Sequence, residues 1–137
     1  MNSGKVGILL GSLLLAAPFA AQAHHSFAAI WDIDRPFEIT GTLSKVEWFN
    51  PHTYMHVAVR EQSGVVDDYS FEGFPPSMLR HYGITKDDLA NRVGQKVTVS
   101  AYAAKDGTKT LGFGLSYKFA DGTTIVALKS AKDLPTR

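Results

Sequence analysis

Hydrophobic and polar residues alternate along most of the chain beyond residue 36, and the alternation predicts short strands separated by turns. From Pro36 to Trp48, Phe37, Ile39 and Leu43 fall on one side against Glu38, Thr40, Thr42 and Ser44, after which the apolar phase passes to Val46 and Trp48. A phase change inside one long strand predicts a bulge or sharp bend. Asn50-Pro51 predicts a turn. Thr53 to Arg60 then resumes the period of two, with Met55, Val57 and Val59 facing one way and Tyr54, His56, Ala58 and Arg60 the other. Glu61 to Gly64 predicts the next turn, and Val66 to Phe74 a third strand with Tyr69 and Phe71 toward the core.

The period then lengthens. Pro75-Pro76-Ser77 opens a short helix that turns Met78, Leu79 and Tyr82 inward and ends at Gly83 in the left-handed conformation. Thr85 with Asp88 three residues later predicts a capped second turn of helix over Lys86 to Ala90. Strand periodicity returns in Lys96 to Ala103, in Thr110 to Phe119 and in Thr124 to Leu128, with turns at Lys105-Asp106-Gly107 and Asp121-Gly122. The tail from Ser130 is expected to fray. Three strands, a helical connection and two or three more strands define a mainly β fold. The order matches a small five- to six-stranded barrel of the oligonucleotide/oligosaccharide-binding (OB) type, with an open β-sandwich as the alternative.

The first 23 residues follow other rules. Lys5, an apolar stretch from Val6 to Ala20 and the small-x-small sequence Ala21-Gln22-Ala23 together predict a signal peptide cleaved after Ala23, so residues 24–137 form one exported β-barrel domain, periplasmic or secreted. The apolar run is shorter than the ~20 residues of a bilayer span, so no membrane association is expected after cleavage. Removing Lys5 leaves thirteen basic against thirteen acidic side chains, a balance that points away from nucleic acid. Cysteine is absent, so there is no disulfide framework, and a metal site must draw on nitrogen, oxygen or Met sulfur.

His24-His25-Ser26-Phe27, Val46-Glu47-Trp48-Phe49-Asn50-Pro51-His52 and Ala104-Lys105-Asp106-Gly107 resemble the corresponding segments of a family of small exported bacterial proteins of unknown function, which share an HHSF mature start and a V-E-W-x-N-P-H motif. The resemblance implies a periplasmic domain with a barrel-like β fold and no assigned reaction.

Cleavage after Ala23 would make His24 the first residue, with an α-amine of pKa about 7.7–8.0 and an imidazole of about 6.5 available to one ion. A second imidazole would complete a T-shaped three-nitrogen site suited to Cu(II), an arrangement similar to the histidine brace of copper-dependent polysaccharide monooxygenases and certain periplasmic copper-binding proteins. His52, just after the Asn50-Pro51 turn, is the first choice for that role and His56 the second. On a straight strand the two lie about 13 Å apart, at ~3.3 Å per residue, too far to share an ion without a bend. Met55 falls on the apolar side and reads as core, and His81 reads as a helix-end residue.

No nucleophile elbow, phosphate loop, dinucleotide fingerprint or spaced acid/base pair is present, so catalysis is not indicated. Asp32, Asp34, Glu38, Glu47 and Glu72 read as solvated surface. The expectation is therefore a metal-binding protein for copper through His24, His52 and His56. The alternative is a metal-free binding module whose face bearing Tyr54, His56 and Arg60 holds a small ligand, a glycan or a partner protein.

Overall fold

A computed structural model describes residues 26–134. Six strands, β1 (Trp31–Trp48), β2 (Thr53–Arg60), β3 (Val66–Gly73), β4 (Lys96–Ala104), β5 (Leu111–Phe119) and β6 (Thr124–Val126), form one sheet in the order β3-β2-β1-β4-β5-β6. Neighbours in that order are antiparallel, and a parallel pairing of β3 with β5, through Ser70–Leu111, Phe71–Gly112 and Glu72–Phe113, joins the ends into a closed ring of five strands. β6 hangs on β5 outside that ring. Closure leaves the five long strands with paired edges, which suits a chain too short to cover them otherwise.

The long first strand can serve both β2 and β4 because it bends. Its register slips between Leu43 and Lys45, where the phase of the apolar residues changes, and again between Asp32 and Pro36. The second irregularity explains why the strand begins at Trp31 rather than near Pro36: residues 33–35 bulge out between the pairs Asp32–Ala103 and Pro36–Tyr102, and pairing continues on both sides of them.

Inside the ring, Leu43, Met55, Val57, Tyr69, Phe71, Val97, Val99, Ala101, Tyr117 and Phe119 are buried, so Met55 is a core residue. Gly112 leaves room for Phe37 and Phe71, whose ring atoms lie 3.2 and 3.3 Å from where its Cβ would stand. Gly114 is required more strictly, because a Cβ there would sit 1.8 Å from the Tyr117 hydroxyl. That hydroxyl is buried without a hydrogen bond, and burial pushes its pKa up.

Between β3 and β4 run two short helices, Pro76–His81 and Lys86–Ala90. The first has proline in its opening turn and closes ahead of Gly83 at φ 79°, and the second carries a complete capping box in which Thr85 and Asp88 satisfy each other's backbone amides. Leu79 and Leu89 are buried, and Met78 packs partly against the core. Tyr82, expected inward, is 45% exposed: the helix ends at His81, so Tyr82 leaves the buried stripe and its ring meets the rings of Phe74 and His81.

The apolar cluster extends around Tyr102 of β4 and Phe113 of β5. Residues 26–30 are helical, and Phe27 sets its ring edge-on to Phe113, with centroids 4.8 Å apart, and to Tyr102 at 6.3 Å. Trp31 and Phe74 also pack on Phe113. The Lys105 amide donates to the Ile30 carbonyl at 2.9 Å and fastens the same segment. Residues 130–134, expected to fray, are held: the Ala131 amide donates to the Tyr102 hydroxyl at 3.2 Å, Ala131–Asp133 forms a 3-10 turn, and Leu134 packs against the core.

Candidate functional site

The period of two along β2 produces the candidate site. Thr53, Met55, Val57 and Val59 are buried, and Tyr54, His56 and Ala58 stand on the other side, flanked by β1 and β3. Register then decides the neighbours: Tyr54 lies between Glu47 and Glu72, His56 between Lys45 and Ser70, and Ala58 between Thr42 and Asp68. Cross-strand partners project to the same side of a sheet, so this face gathers Glu47, Glu72 and Asp68 around two imidazoles and a phenol. Three carboxylates stand there against the ammonium of Lys45.

Two linked groups make up the face. In the first, the Tyr54 hydroxyl donates to Glu72 Oε2 at 3.1 Å, and His52 Nδ1 lies 2.9 Å from Glu72 Oε1. Partial burial, then the Glu72 charge, raise the Tyr54 pKa. The His52 contact is close but off the line of a good hydrogen bond, so this solvent-inaccessible nitrogen has no satisfied bond. The side chain as a whole is 43% exposed, and solvent reaches the ring from the side away from Nδ1.

In the second group, His56 is held between carboxylates on two strands, with Nε2 3.4 Å from Glu47 and Nδ1 3.6 Å from Asp68. Lys45 pairs with the same Glu47 oxygen, and this hydrogen bond, ahead of the charge of His56, lowers the Glu47 pKa. Ser44, displaced by the bulge, donates to the His56 carbonyl at 3.0 Å, with Asp68 Oδ1 at 3.5 Å.

Of the residues expected at a site, Tyr54 and His56 share this face and His52 joins its end through Glu72. Arg60 does not: it sits six residues beyond Tyr54, about 20 Å along the strand at ~3.3 Å per residue. Its guanidinium donates to the Gly64 carbonyl at 3.2 Å and braces the β2–β3 turn. His24 and His25 lie outside the described residues, as does the predicted cleavage point. Trp31 and Tyr69 are buried in the core and Trp48 packs partly against it, so among these aromatics only Tyr54 belongs to the face. Among the described residues no group of three or more His, Cys, Asp and Glu side chains is arranged to hold a metal ion.

Glu47, Glu72 and Asp68 are functional candidates that pattern reading placed on solvated surface or passed over. Each is an outward strand residue, and only the pairing register shows that it stands beside an imidazole. The V-E-W-x-N-P-H segment does carry one partial signal, since Glu47 and His52 flank a turn between adjacent strands.

One row of partners crosses the ring from this face: Glu47, Tyr54, Glu72, Phe113 and Tyr102. Phe27 packs on the last two members of that row, and the first of these, Phe113, is the register partner of Glu72. Open recesses lie elsewhere. One of about 570 Å³ is bordered by Tyr82, Asp87, Arg92 and Asp121, and one of about 540 Å³ by Phe37, Ile39, Tyr69, Arg35 and Lys109.

A β-rich closed ring with a polar face of histidines and carboxylates is the class of protein these observations define. The chain belongs to DUF6152, a family of unknown function, whose model matches residues 12–113 and so spans the whole of this face and the HHSF segment. No curated protein and no solved structure matches it. No helix among the described residues is long and apolar enough to cross a membrane.

Proposed function

We propose that the chain is exported, cleaved after Ala23, and binds Cu(II) in the periplasm through the His24 α-amine and imidazole together with the His52 imidazole. The carrying observation is the anchoring of Phe27 on Phe113, the register partner of Glu72, whose carboxylate touches His52. Phe27 follows His24 by three residue steps, at most about 11 Å of chain, so a mature terminus starting at His24 has a short tether to the His52 ring. Nitrogen donors favour Cu(II) over the other divalent first-row ions, and the three carboxylates add a field that attracts a cation. His56 is the weaker ligand choice, because carboxylates approach both of its ring nitrogens. Ring order, the parallel β3–β5 closure and the helical β3–β4 connection support an OB-like barrel as the scaffold.

The test is calorimetric titration of Cu(II) into protein whose mass confirms a His24 start, beside the same protein with one added N-terminal glycine. One-to-one binding weakened at least tenfold by the glycine supports the site, and binding indifferent to it refutes the role of the terminus.

The recess of about 540 Å³ favours a second reading, a metal-free module for a small ligand, since the half-buried Phe37 and Ile39 offer apolar and aromatic surface there. This reading predicts ligand-induced amide shifts at those residues rather than at His52.

A further inference from the structure

We infer that Glu72, steadied by Tyr54, is a positioning residue that holds His52 with its proton on Nδ1 and leaves Nε2 as the nitrogen offered to the metal; this rests on the proposed copper site. At 2.9 Å from Glu72 Oε1, an unprotonated Nδ1 would set its lone pair against that of a carboxylate, which only accepts hydrogen bonds. The negative charge so close to Nδ1 therefore favours the tautomer with the hydrogen on Nδ1. In the neutral ring the free lone pair then belongs to Nε2. The Nδ1 edge is closed to solvent while the side chain is 43% exposed, so the ring is reached from its other edge.

Glu72 is itself constrained. Its second oxygen accepts from the Tyr54 hydroxyl at 3.1 Å, and its backbone is fixed by pairing with Tyr54 on β2 and Phe113 on β5. Metal-binding histidines commonly donate their other ring N–H to such a carboxylate, which fixes the tautomer and raises ligand basicity. His56 lacks this asymmetry, with carboxylates 3.4 and 3.6 Å from its two nitrogens.

The experiment is long-range 1H–15N correlation spectroscopy of metal-free, 15N-histidine-labelled protein at about pH 8, above the imidazole range near 6.5, followed by Cu(II) titration of the same samples. The wild type is expected to hold His52 as the Nδ1–H tautomer. Glu72→Ala is expected to convert it mainly to Nε2–H and to weaken Cu(II) binding about 10- to 100-fold. Tyr54→Phe, which leaves the Glu72 carboxylate in place, is expected to shift the tautomer part of the way and serves if Glu72→Ala fails to fold. An Nε2–H ring in the wild type overturns the inference, as does a folded Glu72→Ala protein with unchanged tautomer and affinity; either leaves the copper reading standing. The expected tautomers in a protein that ignores Cu(II) overturn the copper reading and leave the hold of Glu72 on His52 intact.

Discussion

Phe27→Ala removes the ring that fastens the start of the described chain to β4 and β5. The ring meets Phe113 edge-on at 4.8 Å and Tyr102 at 6.3 Å, and it is partly rather than fully buried. A fully buried Phe→Ala change costs about 3–5 kcal/mol, and each aromatic pair contributes about 0.5–1.5 kcal/mol beyond area burial. Partial burial, and a segment near the chain end that can relax into the gap, place the expected loss at about 2 kcal/mol. With a urea slope of about 1.5 kcal/mol/M, the unfolding midpoint should fall by about 1.3 M at unchanged slope. Amide exchange at Lys105, which donates to the Ile30 carbonyl, should accelerate, because that bond closes the same segment. In protein starting at His24, loosening the tether should also weaken Cu(II) binding about tenfold, by lowering the effective concentration of the terminus at His52. A midpoint within about 0.3 M of the wild type, with Lys105 protection unchanged, would refute the anchoring argument.

Gly114→Ala should destabilise the protein by about 1–3 kcal/mol, because its Cβ would meet the buried Tyr117 hydroxyl, while Tyr117→Phe should stabilise by about 1 kcal/mol by removing an unpaired buried polar group; urea unfolding reads both. Thr85→Ala should cost about 1 kcal/mol through loss of the capping box, seen as a lower midpoint at constant slope. The Thr123 backbone and Arg92 hold the Asp121 carboxyl down at about 2, so its contribution is present above an unfolded value near 3.9 and is lost as pH falls through about 2. Asp121→Asn should therefore lower stability at neutral pH and flatten its fall between about pH 4 and 2; a wild-type acid slope in this variant would contradict the assignment.

Local physics made much of the fold legible. The bulge in β1 showed as a phase change at Ser44–Val46, the second helix as Thr85 and Asp88 three apart, and the hairpin β2–β3 as two alternating runs around Gly64. What escaped depends on contacts between distant segments. Tyr82 reads as inward on helical spacing alone, but its helix stops one residue earlier. Residues 130–134 read as tail because nothing local holds them, whereas the Tyr102 hydroxyl, 29 positions away, does. The same limit applies at the candidate site. His52, His56 and Tyr54 are visible as residue types with suggestive positions, yet Glu72 and Asp68 acquire meaning only through the β2–β3 register, and the link from Phe27 through Phe113 to Glu72 only through the β3–β5 closure. Arg60 shares the alternation of Tyr54 but not its neighbourhood, because the strand is long and its far end closes a turn.

The most direct test of the central claim is the electron paramagnetic resonance spectrum of one equivalent of Cu(II) on protein of confirmed His24 start, recorded alongside His52→Ala. The account predicts hyperfine coupling to three nitrogens in the wild type and to two in His52→Ala, with His56→Ala unchanged. Coupling that is the same in wild type and His52→Ala, or a spectrum of oxygen ligation alone, would contradict it.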